Sequence, residues 1–177
     1  MVLLGSEWSV YWSRVSREVA AEFDLIRDAH RQRIPTYGIC YGAQAIAAAL
    51  GGTVERAREP ELGWYDNIVS DIPTIIPPGP WMQWHSDVVT IPPGAEALAR
   101  SPLCNQAYRL DRTFATQFHP EATEAIVTRW ATDGADILKS RGSSTEELRA
   151  ETSRNVVESR QNAEHMIDWY LEGVAGS

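Results

Sequence analysis

One of the two cysteines, Cys40, lies between two glycines at the junction of a predicted strand and a predicted helix. Gly38 and Gly42 occupy the flanking positions of a G-x-C-x-G motif. This pattern is typical of a nucleophile elbow, a tight turn that lifts a nucleophilic side chain above a sheet and requires small neighbours. The unpaired N–H groups at the start of the following helix favour a thiolate, and the Tyr41 N–H is available to an oxyanion. Taken alone, the motif is equally consistent with a small buried cysteine beside a glycine turn.

The other cysteine, Cys104, lacks both features of the elbow. It has no flanking glycine pair, and no predicted helix follows it. We therefore expect Cys104 to fill the core and to remain a protonated, shielded thiol.

A thiolate nucleophile needs a proton carrier, and four histidines are available. Two of them lie in charged helical segments, whereas His85 and His119 each end a β-prone run. Pro120 disfavours helical backbone angles at His119 and keeps that residue extended. Glu121 then points to the same side as His119, where its carboxylate can orient the imidazole and stabilise the imidazolium. The sequence thus favours His119 over His85 as the partner of a nucleophile.

The residues on either side of Cys40 predict alternating strands and helices. An apolar strand at 2–4 precedes a helix at 13–33, and a strand at 36–39 precedes a helix at 43–50. Gly51 and Gly52 end the second helix. Because parallel strands need crossover connections, this order is typical of an α/β fold with a parallel sheet.

The rest of the chain is predicted to be β-rich first and helical afterwards. Short β-prone runs, broken by Pro and Gly, lie at 53–57, 67–70, 74–76, 87–91, 96–100, 106–110 and 113–118. A helix is expected at 122–139, and a last helix at 144–173 begins with a capping box between Ser144 and Glu147. Since no repeat or low-complexity linker interrupts the chain, residues 1–177 are interpreted as a single domain.

The composition argues against several classes of protein. The net charge of −8 disfavours nucleic acid as a partner, because phosphate binding needs a basic surface. No apolar run approaches the roughly 20 residues of a membrane span, and no secretory leader precedes residue 5. Two cysteines cannot form a disulfide framework, which favours the cytoplasm. We expect neither a metal nor a cofactor, since no Cys/His/Asp cluster has metal-ligand spacing. Because no G-x-x-x-x-G-K-[ST] loop is found, this chain alone is not expected to activate an acceptor with ATP.

Three segments together resemble one enzyme family. GICYGAQ, WHSD and QFHPE, in this order and at about this spacing, are similar to class I glutamine amidotransferase domains, above all to stand-alone proteins like the amidotransferase portion of GMP synthase. The segments LGSEWSVY, ELGW and IPPGAEALARS fit the same family. The resemblance implies a flavodoxin-like fold, with a mostly parallel central sheet and flanking helices. It also implies that Cys40 is the nucleophile, His119 the general acid and base, and Glu121 the residue that orients His119.

The same resemblance implies the substrate and its binding residues. L-glutamine would be held by Gln44 and by backbone groups around Ser86 and Asp87, in the segment 84–87. The Tyr41 N–H and the backbone at Gly5 and Ser6 would bind the oxyanion. Ammonia would pass to an acceptor on an unidentified synthase partner. Two alternatives stay open, namely a hydrolase of other γ-glutamyl compounds with the same triad, and a non-catalytic remnant that acts as a binding module.

The chain departs from the family pattern near its amino end. Family members usually have two glycines where this chain has Gly5 and Ser6, and a serine holds the same peptide orientation with more strain. The family also places a further strand and helix ahead of the segment that begins at residue 1. We therefore expect an N-terminally shortened fold, in which residue 1 is not the natural start or a second copy covers the exposed edge as a homodimer.

Overall fold

The elements that surround Cys40 follow the predicted alternation of strands and helices. A computed structural model describes residues 1–176, and Ser177, the last residue of the predicted domain, lies outside the described residues. The strands are β1 (Val2–Leu3), β2 (Thr36–Ile39), β3 (Thr53–Tyr65), β4 (Val69–Ser70), β5 (Trp81–Thr90), β6 (Glu96–Arg100), β7 (Asn105–Leu110) and β8 (Thr113–Thr116). The α-helices are α1 (Ser16–Arg31), α2 (Tyr41–Ala49), α3 (Glu124–Asp133), α4 (Ala135–Ser140) and α5 (Thr145–Trp169). A short 3-10 helix (Ser13–Val15) precedes α1, and a π-helical turn (Tyr170–Val174) follows α5.

Six strands form the central sheet, in the order β1-β2-β8-β7-β6-β4. β1 pairs with β2 and β2 with β8 in parallel, while the pairs β8–β7, β7–β6 and β6–β4 are antiparallel. Four of the six strands, β1, β2, β6 and β8, consequently run in one direction. The predicted α/β class, with a mostly parallel central sheet and flanking helices, is confirmed.

Helices cover both faces of this sheet. Successive strand residues point to opposite faces, and β8 illustrates this with Phe114 and Ala115. Phe114 belongs to a buried cluster with Met166 and Tyr170 from the C-terminal helical segment. Ala115 belongs to a second buried cluster with α1 and α2. β2 ends at Ile39, directly before Cys40, and β8 ends at Thr116, three residues before His119. Both residues thus lie at the carboxyl ends of core strands.

A separate two-stranded ribbon borders the sheet. β3 and β5 pair in antiparallel from Thr53 opposite Thr90 to Tyr65 opposite Trp81, with a shift of register between Arg56 and Glu61. The sequence predicted only the 53–57 and 87–91 parts of these strands, because Pro60 and Gly63 interrupt the β pattern. The ribbon carries the segment 84–87 along the side of the elbow.

Two other predictions were wrong in part. Residues 74–76 form no strand, because the Ile75 and Ile76 N–H groups donate to the Ile72 carbonyl at 2.9 Å within a turn. The helix expected at 122–139 is divided at Gly134 into α3 and α4. A Cβ at Gly134 would lie 2.6 Å from the Trp84 ring, so the junction needs a glycine to approach the ribbon.

The predicted beginning of the last helix is confirmed. The Ser144 hydroxyl accepts a hydrogen bond of 3.1 Å from the Glu147 N–H, the N-cap interaction of a capping box. Within residues 1–176, the helices are too short or too polar to cross a lipid bilayer.

Candidate active site

Cys40 occupies the strained turn between β2 and α2. Its backbone has φ 52° and ψ −108°, in the half of conformational space that side chains other than glycine rarely adopt. Its N–H donates to the Thr116 carbonyl at 2.8 Å, and its own carbonyl accepts from the Gln44 N–H at 3.0 Å. The strained residue is thus held by β8 on one side and by the first turn of α2 on the other. This is the geometry of the predicted nucleophile elbow.

The two flanking glycines are required by close backbone packing. A Cβ at Gly38 would lie 2.8 Å from the backbone of Gly42. A Cβ at Gly42 would lie 2.7 Å from the carbonyl carbon of Leu3. Larger residues at either position would push α2 away from β1 and β2, and would displace Cys40.

His119 lies just beyond the end of β8 and is anchored through its backbone to the ribbon. Its N–H donates to the Met82 carbonyl at 2.8 Å. The imidazole is buried and packs edge-on against Trp130, with ring centroids 4.6 Å apart. Nδ1 lies 2.7 Å from Oε1 of Glu121, whose side chain is about one third exposed. The prediction that Glu121 lies on the same side as His119 agrees with this contact.

The surroundings of His119 stabilise its protonated form. Burial by itself would lower the pKa of the imidazole, but the nearby charge of Cys40 and its capacity to accept a hydrogen bond act in the opposite direction. The hydrogen bond and charge of Glu121 add to the effect of Cys40, and the pKa of His119 rises from 6.5 to about 10. Nε2 is buried and makes no well-aligned hydrogen bond within residues 1–176. The effect of Cys40 on the pKa of His119 is therefore mainly electrostatic in this structure.

The backbone at Gly5 brings the end of β1 to the same place. A Cβ at Gly5 would lie 3.1 Å from Cε1 of His119 and 3.8 Å from Cβ of Cys40. Three segments distant in sequence thus converge, and each comes from the carboxyl end of a parallel strand. Ligand sites in open α/β sheets lie at this end of the strands.

Two adjoining cavities open at Cys40. One, of about 280 Å³, is lined by four of the residues predicted to bind substrate, Ser6, Gln44, Ser86 and Asp87. The other, of about 640 Å³, is lined by Gly5, His119 and Glu121. The cavities share Ser6, Glu7, Cys40, Trp84 and Ile137. A larger groove of about 750 Å³ along α5 borders Glu121 but contains neither Cys40 nor His119, so we do not assign the chemistry to it.

Tyr41 is the predicted site residue whose side chain lies elsewhere. It begins α2 directly after Cys40, but its hydroxyl donates to Glu22 at 2.7 Å, towards α1. Only its backbone N–H is left for the predicted role in binding an oxyanion.

Asp87 holds a loop in addition to lining the smaller cavity. Its buried carboxylate accepts a short hydrogen bond from the Ser9 hydroxyl and one of 2.8 Å from the Tyr11 hydroxyl. These bonds hold the loop between β1 and α1, which carries Ser6, against β5, and residues of this loop line the cavity. The sequence suggested backbone groups around Asp87 and gave no indication of this side-chain contact.

A buried polar cluster behind the cavity was not predicted. His85 Nε2 lies 3.0 Å from a carboxylate oxygen of Glu61, and the same oxygen accepts from the Gln106 amide at 2.8 Å. His85 Nδ1 lies 3.0 Å from the Asp87 carbonyl, which ties this cluster to the segment 84–87. The only signal in the sequence was the segment ELGW, which fitted the family pattern without suggesting a role for Glu61.

The same cluster brings three metal-ligand types together. Donor atoms of Glu61, His85 and Cys104 lie within 4.8 Å of one another, a proximity that their spacing in the chain does not reveal. The Gln106 amide donates to Glu61 and also to Cys104 Sγ, at 3.4 Å, so the cluster is already joined by its own hydrogen bonds. Burial and the charge of Glu61 raise the pKa of the Cys104 thiol to about 12. This agrees with the expectation of a protonated, unreactive Cys104.

Comparison with curated proteins finds relatives among GMP synthases. The enzyme of Cupriavidus taiwanensis named "GMP synthase [glutamine-hydrolyzing]" is 34% identical over 146 residues, which cover 73% of this chain and 26% of that protein. The enzyme of the same name from Ralstonia pickettii is 32% identical over 145 residues, with the same two coverages. The chain therefore spans about a quarter of the length of these relatives.

Solved structures with the same fold include glutamine amidotransferases. One from Thermotoga maritima has a TM-score of 0.84 and 25% identity, covering 97% of this chain and 78% of that chain. A glutamine amidotransferase from Methylobacillus flagellatus has a TM-score of 0.78 and 28% identity, covering 88% of this chain and 69% of that chain. In addition, the family model "Glutamine amidotransferase class-I" matches residues 14–128, well over half of the sequence. The chain belongs to the class-I glutamine amidotransferase family.

Proposed function

We propose that the protein hydrolyses the side-chain amide of L-glutamine with Cys40 as the nucleophile, His119 as the general acid and base, and Glu121 as the positioning carboxylate. The observation that supports this most strongly is the environment of His119. The imidazole has Glu121 at Nδ1 and the charge of Cys40 nearby, and its pKa is raised to about 10. A thiolate and an imidazolium are the reactant state that thioester chemistry requires.

The reaction begins when the Cys40 sulfur forms a bond to the carboxamide carbon of glutamine. The carbonyl oxygen gains the displaced electron pair, and backbone N–H groups at Tyr41 and at the Gly5–Ser6 segment stabilise this oxyanion. The C–N bond then breaks as His119 transfers its proton to the departing nitrogen, which leaves as ammonia. The product on the enzyme is a γ-glutamyl thioester.

Water completes the cycle. Neutral His119 removes a proton from water while the oxygen attacks the thioester carbon, and the C–S bond breaks to release glutamate. The proton stays on His119, and the thiolate–imidazolium pair is restored. In this scheme Gln44, Ser86 and Asp87 orient glutamine from the smaller cavity, which their positions on its wall support.

The test is release of glutamate and ammonia from L-glutamine by the purified chain, with γ-glutamyl peptides as competing substrates. Cys40→Ala should abolish turnover, whereas Cys104→Ser should keep it, because Cys104 lies outside both cavities. Turnover of γ-glutamyl peptides without turnover of glutamine would favour the related hydrolase. Inactivity on every substrate would favour a binding module.

We further propose that the ammonia is used by a synthase partner. Curated relatives are GMP synthases and are about four times as long as the matched segment, so in those proteins the matched region is joined to additional chain. Co-purification with a tagged version of this chain, followed by transfer of ¹⁵N from the glutamine amide to a product, would test the proposal. Loss of all ¹⁵N to free ammonium would argue against it. We also propose a cytoplasmic location, which was predicted from the presence of only two cysteines.

A homodimer is the second assembly that we propose. β1 lies at the edge of the sheet, and Val2, Leu4 and Leu25 are each more than half exposed around it. A second copy placed there would cover this apolar surface. Leu25→Glu should then lower the mass measured by sedimentation to that of a monomer, while Val157→Glu, at an exposed apolar position on α5, should not. A monomeric wild-type chain would refute the dimer.

A further inference from the structure

The buried polar cluster behind the smaller cavity combines three donor atoms of different kinds. Glu61 comes from β3, His85 from β5, and Cys104 from the loop that joins β6 to β7. The carboxylate oxygen, the imidazole nitrogen and the sulfur all lie within 4.8 Å of one another. The side chains of Glu61 and His85 are 7% and 1% exposed, so each is more than nine-tenths buried. Donor atoms from three separate parts of the chain thus meet in the protein interior.

The imidazole of His85 directs one nitrogen into this cluster without a well-aligned hydrogen bond. Nδ1 lies 3.0 Å from the Asp87 carbonyl, which can only accept, so Nδ1 carries a proton. In the neutral ring Nε2 then has a lone pair, and it lies 3.0 Å from a carboxylate oxygen of Glu61, which is another acceptor. Within residues 1–176 Nε2 makes no well-aligned hydrogen bond. Two facing acceptors repel each other unless a cation lies between them, either a proton on His85 or a metal ion.

The hydrogen bonds around the cluster suit a set of deprotonated metal ligands. The Gln106 side-chain amide donates to Glu61 at 2.8 Å and to Cys104 Sγ at 3.4 Å. Donors of this kind orient a carboxylate and a thiolate that bind a metal. The Asp87 carbonyl does the same for His85, because it fixes the tautomer with a free Nε2. Each of the three donor residues is therefore held by a hydrogen bond of the type that supports metal ligands.

The donor types and their distances fit Zn²⁺ better than a hard cation. Sulfur and imidazole nitrogen are ligands that zinc prefers, whereas Mg²⁺ and Ca²⁺ prefer sets of oxygen atoms. Zinc–ligand bonds of about 2.0–2.3 Å in a tetrahedron separate the ligand atoms by about 3.4–3.6 Å. Here the distance from His85 Nε2 to the Glu61 oxygen is 3.0 Å, and that from Cys104 Sγ to the same oxygen is 3.9 Å. Rotation of the half-buried Cys104 side chain about its single χ angle can adjust both distances to sulfur.

We propose that Glu61, His85 and Cys104 bind one Zn²⁺ ion. On binding, the proton of the Cys104 thiol passes to solvent, and the carboxylate and the thiolate together neutralise the charge of the ion. Three protein ligands leave the fourth position to a water molecule. The inference is independent of the proposed glutaminase function. It replaces the expectation that no metal binds, which rested only on the spacing of ligand types along the sequence.

A bound ion stabilises the fold by joining the ribbon to the central sheet. Glu61 and His85 belong to the ribbon, and Cys104 directly precedes β7 of the sheet. An ion that binds the folded chain and not the unfolded chain raises the free energy of unfolding. Bound to Zn²⁺, the Cys104 sulfur is not a free thiolate, so this residue stays unreactive with or without the metal.

The first experiment is a titration with Co²⁺, which replaces Zn²⁺ and absorbs visible light. It uses the full chain without an affinity tag and with Cys40→Ala, so that Cys104 is the single cysteine. One Co²⁺ per chain should bind and produce both a thiolate-to-cobalt charge-transfer band and the visible bands of a tetrahedral site. Added Zn²⁺ should displace the cobalt and abolish these bands. A spectrum without the charge-transfer band would overturn the site.

The second experiment measures Zn²⁺ affinity by competition with a chromophoric chelator. Cys104→Ser and Glu61→Gln should each weaken binding by at least about 100-fold, because even residues that only orient ligands commonly contribute 10–100-fold. Glu59→Gln is the matched control, since Glu59 lies two residues before Glu61 on β3 but is exposed and pairs with Arg141. It should leave the affinity unchanged. Equal weakening by Glu59→Gln and Glu61→Gln would overturn the assignment of Glu61 as a ligand.

Unfolding in urea distinguishes a zinc site from a buried ion pair of protonated His85 with Glu61. With Zn²⁺ in excess the wild type should unfold at a higher urea concentration than in the presence of a chelator. Cys104→Ser should unfold at the same urea concentration under both conditions. If Cys104→Ser does not fold, the wild-type comparison and the cobalt spectrum still decide the question. A wild-type midpoint that does not respond to Zn²⁺ would support the ion pair and overturn the zinc site.

Discussion

The ionisation of His119 gives a quantitative test of the proposed triad. Its pKa of about 10 arises because the interactions with Cys40 and Glu121 outweigh the opposing effect of burial, and Cys40 makes the larger favourable contribution. Cys40→Ala should consequently lower the pKa of His119 more than Glu121→Gln does. Glu121→Gln keeps a hydrogen-bond acceptor 2.7 Å from Nδ1 but removes the charge. Because Glu121 is about one third exposed, solvent screens that charge, and we expect Glu121→Gln to lower the pKa of His119 only modestly.

The assay is an NMR titration of imidazole ¹³Cε1 shifts in the wild type and both variants, with His119 assigned through His119→Gln.

The same ionisation should also affect the free energy of unfolding. A histidine whose folded pKa is raised stabilises the fold fully below its unfolded pKa of 6.5, and this contribution is lost as the pH rises through about 10. The free energy of unfolding should therefore decrease between pH 6.5 and 10 in the wild type and decrease less in Cys40→Ala. A His119 that titrates near 6.5 in the wild type, or that is unaffected by Cys40→Ala, would refute the thiolate–imidazolium pair.

Three further predictions concern the residues around this pair. His119→Ala should reduce kcat by about 10² or more, whereas His85→Ala should mainly raise KM for glutamine, because His85 lines the smaller cavity within the proposed glutamine-binding segment 84–87. The reverse result would make His85 the proton carrier. Gly5→Ala should lower kcat with little loss of stability, because its Cβ would lie 3.1 Å from the His119 ring; unchanged kinetics would show that the ring does not depend on this contact. Glu61→Gln should cost about 1–3 kcal/mol in urea unfolding, because it leaves buried His85 without its carboxylate. Glu59→Gln, on the exposed part of the same strand, should cost less than about 1 kcal/mol, and equal losses would contradict the importance of burial.

Local constraints explain what could be predicted from the sequence. Part of the G-x-C-x-G motif is determined within the strand–turn–helix itself, where Gly38 packs against Gly42 and Ile46, so the elbow at Cys40 was recognisable. The helix start at Ser144 depends on one hydrogen bond three residues along the chain. The proximity of Glu121 to His119 follows from the extended backbone that Pro120 enforces.

Long-range contacts explain what could not be predicted. Glu61 and His85 are brought together by a ribbon whose strands are longer than their β-prone runs. The break at Gly134 reflects contact with Trp84, a residue 50 positions earlier. Burial of Ile76 in a turn instead of a strand likewise depends on the core around it.

The most direct test of the proposed mechanism is covalent labelling by a diazo-ketone analogue of glutamine, followed by peptide mass mapping. The elbow places Cys40 on the wall of both cavities and near His119, while the raised pKa of Cys104 keeps that thiol protonated. One adduct should form, on Cys40 within the 35–52 peptide, and L-glutamine should protect against it. An adduct on Cys104 with Cys40 unmodified would contradict the assignment of the nucleophile.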